Sequence, residues 1–438
     1  MFPPAEDSPS GTFEGTRYDR EQRAIVLAGE PGAYAKEGVF TSAPFVLAPE
    51  VPAEISWRSR WTTPMQWDRC ANNPVLTRTV GGWDDTTVTT CSVVPEGDRL
   101  KMFYGARDRG IGLAVSSRDR IDIWDKRQGP VLQSGAPGTF DAGGVLSPAV
   151  VPVSDDLWFM YYVAYDPTRM RGPVKQHQIG LARSFDRGET WIRVGSEPVL
   201  AVGPPGSCDG ATISSNCVLR VGETWYSWYT GISQVPYLAS VCLATSADGI
   251  HWHKHPHNPV LSYNPYVRTD AFMVATPQVL YEGGVFKMWY NAKGFGAGEQ
   301  PGEYSICYAE SLDGIQWERS PRQPVLSASG VGWDAHMVEY PEVLKLDGKY
   351  ELWYCGDGYG NIGRATGRAL TSAVVESRGG RSSRPDAGWS DWVAHEAPAS
   401  PLQAGARYLQ IRVRLRSDDR TVTPMVQHLA VLPARPGS

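Results

Sequence analysis

Apolar and polar residues alternate over short segments along most of the chain, and Gly, Pro or Asp-Gly turns separate these segments. Alternation with a period of two is typical of β-strands that bury one face. The most regular segments are rich in aromatic residues and recur at residues 101–104, 157–162, 225–229, 286–290 and 350–354. The pattern therefore predicts an all-β protein that is built largely from one repeated unit.

Each repeat is predicted to contain four strands. The first opens with Asp, the second is the aromatic segment, and the third carries the pattern Gly/Cys-x-Ala-x-Ser. In three repeats an Asp-Gly or Asp-Arg-Gly hairpin, in which Gly supplies a positive φ, leads to a short fourth strand with a Trp. The Trp residues of the five copies, each followed by Pro-Val-Leu, are Trp67, Trp124, Trp191, Trp252 and Trp317.

Five repeats of four strands describe a five-bladed β-propeller. The last repeat lacks a fourth strand after residues 361–366, whereas the copy around Trp67 has no hairpin before it. We expect these two segments to pair in one blade and close the ring, which removes exposed sheet edges. The propeller is accordingly predicted to span residues 61–370.

The two ends of the chain contain strands of a different kind. They alternate apolar with polar residues and lack the repeat, as in residues 24–27, 45–47, 53–58, 373–378 and 407–415. We predict that residues 11–60 and 371–434 form one jelly-roll-like β-sandwich accessory domain into which the propeller is inserted. Two unrelated terminal extensions are the alternative.

Composition narrows the class of protein. The chain has 438 residues, of which 42% are hydrophobic and 20% charged, as in ordinary soluble proteins. A net charge of −5 without a basic block gives no reason to expect nucleic acid or an anionic membrane as a partner. No apolar run approaches the roughly 20 residues of a membrane span, and the start lacks signal-peptide features, so we expect a cytoplasmic protein. The sequence leaves the oligomeric state open.

The cysteine and histidine patterns predict neither a metal site nor a cofactor. Seven cysteines without paired short spacing argue against a disulfide framework and a zinc ribbon. His251, His253, His255 and His257 alternate as metal ligands on a strand would. However, they lie on a predicted outer edge strand that Pro256 interrupts, so a surface role is favoured.

Three hairpins resemble the Asp-box of sialidases. Residues 184–191 carry Ser-Phe-Asp-Arg-Gly-Glu-Thr-Trp, and residues 246–252 and 311–317 carry shortened forms. In that family the box stabilises the fold, so we expect a structural role. The five-repeat count and the inner strands of residues 65–370 are more similar to the arabinanase, invertase and levansucrase superfamily, including glycosyl hydrolase family 43-like propellers. This resemblance implies a glycosidase whose oligosaccharide or small-molecule substrate binds in the funnel at the starts of the inner strands.

A glycosidase needs one carboxyl group as general acid and a second as base or nucleophile. Only the fifth repeat has Glu339-Tyr340-Pro341-Glu342, and the resemblance implies a general-acid Glu two residues before an inner-strand Pro. Glu339 is thus the predicted acid, whereas Glu342 is expected to point elsewhere.

The predicted base lies in the first repeat. Only this repeat has a second acid, Asp85, directly after Asp84, and ring closure makes the first and fifth repeats neighbours. Either aspartate is a candidate base, and His336 is a candidate to orient or replace one of the carboxylates.

The Asp that opens each repeat has two interpretations, a substrate contact or a structural cap of the turn. Trp83 and Trp333 precede two of these residues and either stack on a sugar or pack in the core. The predicted substrate-binding set is Asp141, Asp209, Asp270, Asp334, Trp83, Trp333 and Arg107.

The sequence departs from the superfamily at one position. Its members place the base Asp immediately before the inner-strand Pro, but the aligned residues here are Thr90, Ser147, Ser215, Thr276 and Tyr340. The chain therefore uses a different carboxylate pair, or it is a non-catalytic glycan-binding propeller, or it is a phosphorylase, lyase or cyclase. A phosphorylase needs several cations around phosphate. The candidates near the funnel are Arg169, Arg171, Lys175 and His177.

Overall fold

The structure is a computed structural model that describes residues 9–47, 53–63, 65–295, 301–395, 400–402 and 405–433. Within these ranges the regular structure consists of β-strands and short 3-10 turns at Gly332–Asp334 and Asp357–Tyr359. Nothing helical in these ranges has the length and apolar character of a membrane span.

Eight strands precede the first repeat. They are β1 (Gly11–Glu14), β2 (Thr16–Asp19), β3 (Ala24–Leu27), β4 (Glu37–Ser42), β5 (Phe45–Val46), β6 (Ala53–Arg60), β7 (Gln66–Arg69) and β8 (Leu76–Thr77).

Four antiparallel sheets of four strands follow, one for each of the first four repeats. Blade one contains β9 (Thr89–Glu96), β10 (Arg99–Ala106), β11 (Gly110–Ser117) and β12 (Asp125–Lys126). Blade two contains β13 (Gly144–Ser154), β14 (Leu157–Arg171), β15 (Val174–Ser184) and β16 (Ile192–Arg193). Blade three contains β17 (Thr212–Val221), β18 (Thr224–Ile232), β19 (Ala239–Ser246) and β20 (His253–Lys254). Blade four contains β21 (Met273–Glu282), β22 (Val285–Phe295), β23 (Pro301–Ser311) and β24 (Glu318–Arg319).

Blade five combines strands from both sides of the repeat region. It contains β25 (Glu339–Leu346), β26 (Lys349–Cys355) and β27 (Asn361–Arg368), and β27 pairs with both β7 and β8. In this pairing Gly367 lies opposite Trp67, and Ala365 lies opposite Arg69. The N-terminal copy of the Trp strand is therefore the fourth strand of the last blade.

The aromatic second strand lies inside each blade, between the inner and the third strand. Its large side chains account for much of the propeller core, and Trp228, Trp289 and Trp353 are fully buried. Burying such side chains between neighbouring blades supplies a large hydrophobic contribution to stability.

The remaining strands are β28 (Thr371–Gly380), β29 (Val393–His395), β30 (Ser400–Pro401), β31 (Tyr408–Ser417) and β32 (Met425–Pro433). They form two sheets with the N-terminal strands, in the orders β1-β4-β31-β28-β29, with β5 beside β31, and β2-β3-β32-β6-β30. The core of these two sheets includes Ile25, Phe40, Ile55, Val413 and Val426. The predicted fold class, a five-bladed β-propeller inserted into a β-sandwich, is confirmed.

The sandwich is attached to blade four through a buried carboxylate. Glu310 Oε2 lies 3.3 Å from Arg60 Nε, and both Glu310 oxygens accept a hydrogen bond from the Trp61 amide at 3.1 Å. A buried charge is tolerated only when it is paired in this way.

We propose that residues 61–370 form one domain and that residues 11–60 and 371–434 form the other. Residues 48–52, 64, 296–300, 396–399, 403–404 and 434 of these segments lie outside the described ranges.

Candidate functional site

Each inner strand of the propeller has a β-bulge at the same position. The bulged residues have positive φ: 38° at Thr90, 48° at Ser147, 29° at Ser215, 49° at Thr276 and 57° at Tyr340. A left-handed conformation is unfavourable for residues other than Gly, so its recurrence in every blade indicates that the surrounding structure maintains it. Bulges re-aim neighbouring side chains. These are the five positions at which the superfamily resemblance places a base Asp, and none of them is acidic.

Blade four holds the bulge of blade five in place. The Tyr340 amide donates a hydrogen bond to Asn291 Oδ1 at 2.7 Å, and Asn291 Nδ2 donates to the Val338 carbonyl at 2.9 Å. Asn291 is buried. Its amide therefore fixes the backbone on both sides of Glu339.

Glu339 is the residue immediately before this bulge, and it is only 5% exposed. Its Oε2 accepts a hydrogen bond from the Tyr359 hydroxyl at 3.2 Å, and its Oε1 is buried without a hydrogen-bond partner in the described part of the chain. Burial raises the pKa of Glu339 to about 7, although the Tyr359 hydrogen bond and Lys293 oppose the increase. A carboxyl group that keeps its proton near neutral pH is able to act as a general acid.

Three tyrosines, Tyr304, Tyr340 and Tyr359, lie near enough to Glu339 for its charge to raise the pKa of each hydroxyl. The rings of Tyr359 and Tyr340 lie 6.1 Å apart, and Lys293 Nζ lies 5.0 Å from the centre of the Tyr304 ring. Burial, together with the charge of Glu339, raises the pKa of Tyr304 to about 12. The backbone carbonyl of Tyr359 accepts a hydrogen bond from the Val88 amide of blade one at 2.9 Å.

Asp84 has a different environment from Glu339. It is fully buried and accepts hydrogen bonds from the Thr79 amide at 3.1 Å, the Tyr104 hydroxyl at 3.0 Å and Lys126 Nζ at 2.5 Å. Burial alone would raise the pKa of Asp84, but Lys126 and the other donors hold it below its ordinary value. A carboxylate with all these partners is a structural ion pair, so we do not retain Asp84 as a candidate base.

The other blade-opening aspartates form ion pairs of the same kind. Each is buried and pairs with a cation on a fourth strand: Asp141 with Arg193, Asp209 with Lys254, Asp270 with Arg319 and Asp334 with Arg69. In every case the cation comes two residues after the Trp of the repeat. This geometry supports the structural interpretation of these residues and does not support substrate contact. The recurring Trp-x-Lys/Arg pattern was the sequence signal for it.

Trp83 and Trp333 pack within their blades. Trp83 lies 6.0 Å from the Tyr104 ring and Trp333 lies 5.2 Å from the Tyr354 ring, measured between ring centres. A Cβ at Gly112 would lie only 2.8 Å from Trp83, and one at Gly363 only 2.2 Å from Trp333. These contacts favour core packing over sugar stacking.

Asp85 remains available for chemistry. Its side chain is partly exposed, but its Oδ1, which lies 4.0 Å from Arg109, is buried and accepts no hydrogen bond from any described residue. His336 is directed elsewhere: its side chain is 78% exposed and its Nδ1 lies 2.8 Å from Asp357 Oδ2. Among the described residues no hydrogen bond or ion pair joins Glu339 to Asp84, Asp85 or His336.

A second polar cluster lies where blades one and two meet. The Tyr165 hydroxyl donates to Asp108 Oδ1 at 2.6 Å, the His177 ring centre lies 5.2 Å from that of Tyr165, and Lys175 Nζ lies 4.4 Å from the Tyr165 ring centre. Burial, together with the charges of Lys175 and Arg107, lowers the pKa of His177 to about 4. The charges that act on His177 are two cations, Lys175 and Arg107, and one carboxylate, Asp108, so its surroundings are net electropositive.

Arg169 and Arg171 do not join this cluster. Arg171 donates to the carbonyl of Gly203 at 3.1 Å and also to that of Gly210, and Arg169 lies 3.6 Å from Asp166. Of the predicted phosphate-binding residues, Lys175 and His177 come together, and the predicted substrate residue Arg107 lies near them.

The inner strands enclose a channel of about 390 Å³ whose lining includes Glu342. Glu342 Oε1 accepts a hydrogen bond from the Val93 amide of blade one at 2.8 Å, and burial raises the pKa of Glu342 to about 8. Ser92 makes the corresponding contact with the Val150 amide at 3.0 Å. Glu342 therefore joins blade five to blade one.

The described residues contain no group of three or more His, Cys, Asp and Glu side chains suited to a metal ion. The residues that sequence reasoning missed are Tyr359 and Asn291. Tyr359 lies in the segment Gly356-Asp-Gly-Tyr-Gly360, which interrupts the repeat and was the available signal.

No protein-family model matches the sequence. The chain is 30% identical over 284 residues to the uncharacterized protein Rv1502 of Mycobacterium tuberculosis (strain ATCC 25618 / H37Rv), and the match covers 61% of this chain and 87% of that protein. A shorter match, 36% identical over 110 residues, covers 23% of this chain and 36% of a beta-1,2-mannobiose phosphorylase of Thermoanaerobacter sp. (strain X514).

Solved structures share the fold at low sequence identity. A glycosyl hydrolase from Bacteroides ovatus has a TM-score of 0.57 at 16% identity, covering 70% of this chain and 94% of that chain. A second structure has a TM-score of 0.55 at 16% identity, covering 70% of this chain and 94% of that chain. It comes from work on the GH130 family of mannoside phosphorylases, which contains glycoside hydrolases that target beta-1,2 mannosidic linkages in Candida mannan. At such identities the likeness concerns the fold alone.

Proposed function

We propose that this chain, which belongs to the same protein family as Rv1502 of Mycobacterium tuberculosis, is a carbohydrate-active enzyme that cleaves a glycosidic bond in the propeller funnel. The observation that carries the proposal is the state of Glu339. This carboxyl group is buried beside a bulge, one of its oxygens has no hydrogen-bond partner among the described residues, and burial raises its pKa to about 7.

In this proposal Glu339 donates its proton to the oxygen of the leaving group. Breaking a glycosidic bond produces an oxocarbenium-like transition state, and protonation of the departing oxygen lowers the barrier. Asn291 and Tyr359 are positioning residues, because one fixes the backbone around Glu339 and the other hydrogen-bonds its carboxyl group.

Hydrolysis also needs a group that activates water. Asp85 is our candidate, since its side chain is partly exposed and its buried Oδ1 lacks a hydrogen-bond partner among the described residues. Asp84 is excluded from this role because Lys126 and Tyr104 already occupy its carboxylate.

The comparisons support action on a glycosidic bond. Proteins that share the fold carry the names of glycosyl hydrolases, and the relative matched over 110 residues is a beta-1,2-mannobiose phosphorylase. An oligosaccharide or a small glycoside is accordingly the proposed substrate. We also propose that this enzyme belongs with the arabinanases or the family 43-like glycosidases.

Phosphorolysis is the second candidate, and the electropositive cluster around His177 favours it. Burial lowers the pKa of this imidazole, and Lys175 and Arg107 lower it further against the opposing charge of Asp108, so the two cations would stabilise an anion placed there. Phosphate is already an anion at neutral pH and needs no carboxylate base, which agrees with the absence of an acid at the five bulge positions.

The test is turnover of a panel of aryl and oligomeric glycosides, including β-mannosides, with and without inorganic phosphate. Release of the leaving group without phosphate, lost in Glu339→Gln, supports hydrolysis. Release that requires phosphate and yields a sugar phosphate supports phosphorolysis. Glycan binding without turnover under either condition, retained in Glu339→Gln, would overturn the enzymatic proposal in favour of a glycan-binding propeller.

A further inference from the structure

Blade three contains two cysteines in direct contact. Cys208 Sγ lies 3.1 Å from Cys242 Sγ, and the two residues are 34 positions apart in the chain. Cys208 immediately precedes the blade-opening Asp209, and Cys242 lies on β19, the third strand of the same blade.

The other blades fill these two positions differently. In three of them an aromatic side chain packs against a glycine, as Trp83 does on Gly112 and Phe140 does on Gly180. Blade four has Cys307 with Thr269 as its hydrogen-bonding neighbour. Among the described residues only blade three therefore brings two thiols together at this place, and Cys307 is an internal control in the same position, with no sulfur partner in that part of the chain.

The two thiols are chemically unequal. Cys208 is partly exposed, whereas Cys242 is fully buried. A hydrogen bond from the Cys242 thiol lowers the pKa of Cys208, and the same interaction together with burial raises the pKa of Cys242. An accessible thiol of lowered pKa next to a buried partner is the arrangement in which the first attacks an oxidant and the second resolves the product.

We propose that Cys208 and Cys242 are a reversible redox site that a hydroperoxide converts into a disulfide. The Cys208 thiolate attacks one peroxide oxygen, which breaks the O–O bond and gives a sulfenic acid and, after protonation, water or an alcohol. The Cys242 thiol then attacks the Cys208 sulfur, which forms the S–S bond, breaks the S–O bond and releases the sulfenic oxygen as water. The two thiols lose two electrons and the peroxide gains them, and a dithiol reductant restores both thiols.

The geometry allows this step with little movement. Because an S–S bond is about 2.05 Å long, the sulfurs must approach by about 1 Å from their separation of 3.1 Å. The bond would fasten the segment before Asp209 to β19. Arg171 of blade two also holds this segment, through the carbonyls of Gly203 and Gly210. Cross-linking a loop of this length restricts the unfolded chain, so we expect the oxidised protein to unfold at a higher temperature than the reduced protein.

The test uses the full chain treated with hydrogen peroxide, quenched by alkylation under denaturing conditions and digested without reduction. We expect a cross-linked peptide pair that contains Cys208 and Cys242, its disappearance after dithiothreitol, and alkylated Cys307 throughout. Cys208→Ser should prevent the cross-link and the increase in unfolding temperature. Recovery of both cysteines in alkylated form, or of Cys208 as a sulfinic acid beside alkylated Cys242, would overturn the proposal.

Discussion

The Tyr359 hydroxyl lies 3.2 Å from Oε2 of Glu339, and this hydrogen bond lowers the pKa of a carboxyl group that burial raises. Tyr359→Phe should therefore increase the pKa of Glu339, by roughly one unit if the bond contributes as hydrogen bonds to charged groups do. Since the acid must be protonated, we expect the alkaline limb of the kcat/KM profile to move to higher pH.

Tyr304→Phe is the matched control, because the Tyr304 hydroxyl is near Glu339 but makes its hydrogen bond to the sulfur of Met273 at 2.9 Å. Equal alkaline limbs in the wild type and in Tyr359→Phe would contradict the assignment of Glu339 as the titrating acid.

Burial of Glu339 should also make the free energy of unfolding depend on pH. The folded-state pKa of about 7 exceeds the ordinary value of 4.5, so the folded protein holds more protons than the unfolded chain between these pH values. The contribution of Glu339 to the free energy of unfolding of the wild type is then fully present below about pH 4.5 and is lost as the pH rises through 7. Glu339→Gln removes this dependence and should increase the free energy of unfolding at pH 8 by about 3 kcal/mol, with little effect at pH 4.5.

Denaturant unfolding of both proteins at the two pH values measures this difference. A gain of equal size at pH 4.5 and pH 8 would show that the substitution acts through packing rather than through ionisation.

Substitution of Asp84 should reduce stability, whereas substitution of Asp85 should reduce activity. Asp84→Asn removes the charge opposite Lys126, so we expect a loss of about 3 kcal/mol in the free energy of unfolding. Asp85→Asn should change stability by less than about 0.5 kcal/mol but reduce hydrolysis by about 10²- to 10⁴-fold. Denaturant unfolding and initial rates on the same preparations test both effects, and the reverse result would restore Asp84 as the base.

The electropositive cluster can be tested without a substrate. Lys175→Ala removes a charge that lowers the pKa of His177, so this pKa should increase from about 4 while burial keeps it below its ordinary value of 6.5. An NMR titration of the imidazole measures the change. Arg169→Ala is the control, because Arg169 lies beside Asp166 and does not contribute to the pKa of His177.

The repeats made the fold predictable, because the Asp, the aromatic strand, the Asp-Gly hairpin and the Trp recur in register. The pairing of the Trp67 strand with β27 followed from the same pattern, since a missing fourth strand and a displaced copy have one simple solution.

The site was predictable only where a residue departs from the repeat, as Glu339 does. The partners that decide its chemistry come from other parts of the chain: Asn291 from blade four and Tyr359 from a segment without a repeat counterpart. The roles of the blade-opening aspartates could not be predicted for the same reason. Their role depends on the cation that faces each carboxylate, and one such cation, Arg69, is 265 positions from Asp334.

The measurement that tests the central claim most directly compares wild type and Glu339→Gln on aryl glycosides whose leaving groups differ in pKa. Loss of a general acid should reduce kcat/KM by about 10²- to 10⁴-fold for a poor leaving group such as phenol and only slightly for dinitrophenol, which departs without protonation. Glu342→Gln, the same substitution at the buried glutamate beyond the bulge, should keep wild-type rates. Equal losses for every leaving group, or unchanged rates in Glu339→Gln, would contradict the assignment of Glu339 as the proton donor.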